Sequence, residues 1–146
     1  TQPRALSPQE NVALDDWVRK GGRVLIFADP LLTAHSRYPV GDRRRPQDVV
    51  LLSPLLTHWG LTLSFDEDQP EGEREIAVAG EPVPVDQAGQ FAALDGAQCQ
   101  LSGAGLLARC SIGKGRATIL ADAALLAEED HAATAPRTRA LSALPR

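Results

Sequence analysis

Apolar positions fall into two patterns along the chain, and the change from one to the other organises it. In the first, Val12, Leu14, Trp17 and Val18 are spaced to make one stripe of a helix. Ser7 precedes it as N-cap, Pro8 occupies the first helical position, and Glu10 three residues after Ser7 completes a capping box. Arg19 and Lys20 suit the last turn, and Gly21 suits a left-handed helix stop. Val24–Ala28 follows as an unbroken apolar run, the pattern of a strand covered on both faces in a parallel sheet. Asp29-Pro30 ends it.

The scheme then repeats. Ser53-Pro54 predicts a second capped helix reaching Trp59, Gly60 stops it, and Leu61–Phe65 alternates as a strand. Between the two units, residues 36–46 read as a long irregular loop holding Arg43, Arg44 and Arg45, a basic cluster read as solvated. Acidic residues 66–75 read as a solvated loop.

The second half changes character. Short strands are predicted over 75–79, 83–85, 91–94, 98–102, 106–112 and 116–121, with Gly113-Lys114-Gly115 as a tight turn. Connections this short imply antiparallel pairing. Gly80-Glu81-Pro82 reads as a turn, and Val83-Pro84-Val85 reads as an edge strand, where proline is tolerated. Residues 131–146 read as a flexible or loosely packed tail. The expected organisation is one α/β domain over 1–130, its first strand lying upstream, followed by that tail. The chain reads as a soluble portion cut from a longer protein.

Composition narrows the function without naming it. The 146 residues suffice for one domain, and 43% hydrophobic with 23% charged residues is ordinary for a globular chain. A net charge of −4 argues against a nucleic-acid partner. No apolar run is long enough to span a membrane. Cys99 and Cys110 lack metal-ligand spacing. A two-residue turn at Ala104-Gly105 places them directly opposite one another; the choice lies between a cross-strand disulfide and two reduced core cysteines, with the reduced pair favoured. No phosphate loop, dinucleotide fingerprint or nucleophile elbow is present. No cofactor or metal is expected.

The candidate chemistry lies at two strand ends. Leu25–Asp29 and Ala117–Asp122 both close on Ala-Asp. If these strands are neighbours, Asp29 and Asp122 share the crevice at the carboxyl edge of the sheet, where open α/β sheets bind ligands. His35, just beyond Asp29, joins them as a candidate contact. Two carboxylates can exchange protons or hold a cation; they can equally cap two independent turns, which is the favoured account.

The run Ala5–Glu10, then Leu14–Leu25, then Ala28-Asp29-Pro30, with Gly113–Asp122, resembles a bacterial group of membrane-tethered proteins. These carry a class I glutamine amidotransferase-like domain and include auxiliary components of gliding-motility-type ABC transport systems. The resemblance implies a flavodoxin-like layered α/β domain with a largely parallel central sheet. It implies a membrane-anchored parent, an extracytoplasmic location, and membrane transport subunits as partners. It does not imply amidotransferase chemistry, since the nucleophilic cysteine and its partners have no counterpart. The leading expectation is therefore a non-catalytic binding or assembly domain of a transport auxiliary. The alternatives are a small-ligand hydrolase using Asp29 and Asp122, and a scaffold with no ligand.

Overall fold

The structure is a computed structural model that describes residues 5–31, 38–39, 42, 51–126 and 134–144. Helix α1 spans Pro8–Arg19 and opens as the sequence predicts. The Ser7 amide donates to Glu10 Oε2 at 2.8 Å, and the Glu10 amide donates to Ser7 Oγ at 3.2 Å. The expected apolar stripe is only partly used. Val18 is fully buried, whereas Val12 is 62% and Trp17 52% exposed. The Trp17 ring lies over Gly22, where an added Cβ would come within 2.5 Å of it.

Strand β1 (Arg23–Phe27) leads out of α1. Helix α2 (Ser53–His58) begins with Ser53 inside the helix, not as its cap. Eight strands are described in all: β2 (Leu61–Phe65), β3 (Arg74–Val78), β4 (Glu81–Val85), β5 (Gly89–Ala93), β6 (Cys99–Ser102), β7 (Leu107–Ile112) and β8 (Gly115–Leu120) complete the set with β1. A 3-10 turn at Ala124–Leu126 and helix α3 (Thr134–Ala143) close the described chain.

The main sheet has the order β1-β8-β7-β6, and two-stranded sheets pair β2 with β5 and β3 with β4. Among the described residues only β1 and β8 run parallel; every other pair is antiparallel. This corrects the expected flavodoxin-like layered domain with a largely parallel sheet: the described residues are sheet-rich with few helices, and β1 with β8 is the one parallel pair among them. β1 is also not a central buried strand. Among the described residues it stands at the edge of the sheet, and Leu25 is 41% exposed.

Register sorts the main sheet into two faces. Val24, Ala117 and Cys110 align across β1, β8 and β7 with Cys99 on β6, and Ile26, Ile119 and Ala108 form the next row. These residues share a core with Val18, Leu55, Leu56 and Trp59. The other face carries the rows Arg23–Arg116–Ser111 and Leu25–Thr118–Arg109–Gln100. Cys99 and Cys110 sit opposite one another and form a disulfide, in place of the favoured reduced pair. Residues expected in a loose tail form α3, which brings Ala140 and Leu144 into the core.

Two contacts fix α1 on the sheet. The Lys114 amide donates to Arg19 O and the Arg116 amide to Gly22 O, each at 3.0 Å. The chain passes so closely here that a Cβ at Gly115 would lie 2.0 Å from Val18 O and 2.3 Å from Gly22 O. Asp15 then joins the helices: its carboxylate accepts from Arg19 Nε and from Trp59 Nε1, both at 2.7 Å, and lies 3.4 Å from His58 Nε2.

Gly115→Ala is expected to cost about 1–3 kcal/mol, because both obstructing atoms belong to backbone that cannot swing aside; urea unfolding measures it. Replacing both cysteines by serine is expected to cost about 3 kcal/mol, the chain-entropy value for a loop this short. The same loss should appear in the wild type under reducing conditions.

Candidate functional site

β1 and β8 end side by side. Phe27 pairs with Leu120, and the Ala28 amide donates to Leu120 O at 2.7 Å, so Asp29 and Asp122 emerge from adjacent parallel strands. β8 is buried on both faces from Ala117 onward, and the burial continues through Ala121 and Asp122. Asp122 is completely buried, the largest polar side chain so enclosed among the described residues. One of its oxygens accepts from the Ala124 amide and opens the 3-10 turn. The other accepts from the Asp86 amide at 2.9 Å. Asp86 begins the turn between β4 and β5, and the Gly89 amide at the far side of that turn donates to Ala121 O at 2.8 Å. The turn is thus fastened beneath the end of β8.

Asp29 is half-buried. It accepts from the Leu31 amide at 3.1 Å, an Asx turn, and its carboxylate is also held by the backbone of Ala123. Asp29, Asp86 and Asp122 are close enough to repel one another. Burial is the larger influence on both strand-end carboxyls. It pushes Asp29 up to about 6, against the lowering effect of the Leu31 and Ala123 amides and with help from the Asp86 charge. It pushes Asp122 up to about 7, against its two amide donors and with help from Asp29 and Asp86.

The structure therefore brings together Asp29 and Asp122, and adds Asp86, which the sequence reading passed over. Its signal was available: Val83–Asp86 repeats the strand-then-Asp ending of the other two. His35 and the Arg43–Arg45 cluster lie outside the described residues. Among the described residues no group of His, Cys, Asp and Glu is arranged to hold a metal ion. Chemically, the site is a carboxyl pair that changes protonation near neutral pH. Asp122 is closed to solvent and engaged on both oxygens, so it acts on backbone. Asp29 is the member that retains contact with solvent.

The chain matches no protein-family model and no curated protein sequence. Its fold is similar to part of several solved glycosidases. It superposes on the exo-β-1,4-mannosidase Op5Man5 from Opitutaceae bacterium strain TAV5 with a TM-score of 0.51 at 16% identity, over 83% of this chain and 19% of the enzyme. Gan42B, a GH42 β-galactosidase from G. stearothermophilus, gives a TM-score of 0.53 at 14% identity, over 81% of this chain and 17% of the enzyme. The β-galactosidase from Rahnella sp. R3 gives 0.52 at 16% identity, over 97% of this chain and 22% of the enzyme. The chain thus spans about a fifth of the length of the proteins it resembles.

These neighbours overturn the resemblance to amidotransferase-like, membrane-tethered transport auxiliaries, and with it the assembly role in an ABC transport system. The helix–Gly-Gly–strand pattern that carried it is a local device for seating a helix on a sheet, and it recurs where the surrounding topology differs. No described helix is long and apolar enough to cross a membrane.

Both strand-end carboxyls have folded-state values raised above the ordinary 3.8. Their contribution is complete below about 3.8 and is lost as pH rises through about 6 and about 7. The melting temperature is expected to fall as pH rises across that window. Asp122→Asn should flatten the dependence while costing about 1–3 kcal/mol, since an amide side chain can accept from only one of the two backbone donors. Calorimetry on both proteins across the window checks it; an unchanged slope in the variant contradicts the assignment.

Proposed function

We propose that this chain is an accessory domain of a glycoside-hydrolase-type protein acting on β-linked hexosides such as galactosides or mannosides. The observation that carries this reading is the likeness of 81–97% of the chain to only 17–22% of two β-galactosidases and a β-mannosidase. The hydrolytic step belongs to another part of that protein. Glycosidases work with two carboxyl groups that flank the scissile bond and reach the sugar. The one carboxyl pair at the strand ends does not suit that task, because Asp122 is enclosed and both its oxygens are occupied by backbone amides.

The disulfide supports placing the domain in an oxidising, extracytoplasmic compartment, where such bonds persist. Its role there is to present a rigid sheet unit beside the catalytic part.

The natural polypeptide that carries this chain is expected to hydrolyse an aryl β-galactoside or β-mannoside, and the isolated chain to leave both untouched. Asp29→Asn and Asp122→Asn in the whole protein should leave kcat within about threefold of wild type, less than the loss that follows removal of a general acid or base. Hydrolysis by the isolated chain, or a whole protein inert on every β-hexoside, contradicts the reading.

A further inference from the structure

The face of the main sheet away from α1 and α2 carries an uncompensated set of positive charges. Arg23 on β1 stands directly opposite Arg116 on β8. Arg109 on β7 stands opposite Thr118, which places it diagonally from Arg116 on the same face. Like charges set opposite each other across a sheet repel. Yet no carboxylate is ion-paired with any of the three among the described residues, in a chain whose net charge is −4.

Arg109 shows the deficit most clearly. Its Nε is buried and has no hydrogen-bond partner. A buried donor without an acceptor is costly, and a guanidinium donor more so. Arg109 and Arg116 border a cavity of about 510 Å³, to which Ser111, Gln98 and Gln100 also contribute. Its lining is mainly polar, and the Cys99–Cys110 disulfide holds β6 and β7 together at its edge.

We propose that this cavity binds an oxyanion, a carboxylate, sulfate or phosphate group carried by a small ligand, between Arg109 and Arg116. An oxyanion in the cavity accepts from the N–H groups that Arg109 presents at its border, and its charge offsets a guanidinium whose enclosed Nε has no protein acceptor. Arg116 contributes the second positive charge, and Arg23 beside it adds a longer-range attraction. The Ser111 hydroxyl and the amides of Gln98 and Gln100 offer hydrogen bonds to hydroxyls on the remainder of the ligand, so an acidic sugar fits the polar lining. The site is separate from the strand-end carboxyls and does not depend on the accessory-domain reading.

Titration calorimetry with glucuronate, galactose, inorganic sulfate and inorganic phosphate tests this, alongside NMR of the arginine Nε resonances. Glucuronate is expected to bind and shift the Arg109 Nε signal, while neutral galactose does neither. Sulfate or phosphate binding in place of glucuronate identifies a tetrahedral anion as the occupant and supports the same site. Arg116→Gln, at an exposed position that leaves the fold intact, should weaken binding about tenfold or more, as should Arg109→Gln. Lys114→Gln, which removes a charge from the neighbouring turn, should leave it unchanged. Failure of all three anions to bind, equal binding of galactose, or equal affinity in wild type, Arg109→Gln and Arg116→Gln overturns the proposal.

Discussion

A carboxyl group sealed from water at the end of β8 is the constraint on which the rest of the structure depends. Asp122 is fully buried, and its oxygens hold two backbone amides from different parts of the chain. One bond turns the chain out of the main sheet. The other ties in the connection between β4 and β5, and so joins both two-stranded sheets to the main one. A buried carboxylate without an ionic partner is strongly disfavoured. Burial therefore holds the proton on this group up to about 7, although the two amides it accepts from favour the charged form. Asp29 does a similar job more openly, linking the end of β1 to the same region.

The opposite end of the main sheet is organised by close approach instead of polar bonding. Gly115 lets the β7–β8 turn press against the carbonyls of Val18 and Gly22, and the amides of Lys114 and Arg116 bond to α1 and its exit. This places α1 on one face of the sheet and leaves the arginines of the other face without it. Asp15 then couples α1 to α2 through Arg19, Trp59 and His58. Burial works to raise that carboxyl, but the bonds from Arg19 and Trp59 and the charges of Arg19 and His58 prevail, so it sits below its usual value. Three aspartates thus meet two fates: a neighbouring cation keeps one ionised, and its absence leaves two near neutrality.

Local features were legible in the sequence and pairings only in part. The capping box, the glycine stops and the strand from Leu61 to Phe65 follow from chemistry within a few residues, and the structure contains them. Counting outward from one turn set Cys99 opposite Cys110, because hairpin register is a local matter. It could not decide whether they bond. The apolar run at Val24–Ala28 misled, since hydrophobicity reports burial but not how many strands stand alongside; among the described residues β1 is an edge strand. The repeated Ala-Asp ending hinted at adjacent strands, and β1 and β8 are adjacent. Asp86 was overlooked because its partner, Asp122, lies far along the chain and holds the Asp86 backbone amide, not the Asp86 side chain. The segment that forms α3 has little amphipathic pattern, and only its few contacts with the core distinguish it from a tail.

The most direct measurement is the titration of the aspartate side-chain carboxyl carbons by NMR in the intact, oxidised protein. The account predicts one resonance with a midpoint near 7, lost in Asp122→Asn, and a second near 6, lost in Asp29→Asn. Midpoints for both groups near the ordinary 3.8 would contradict it, for they would mean that the strand ends hold two solvated carboxylates and that Asp122 does not lock the fold.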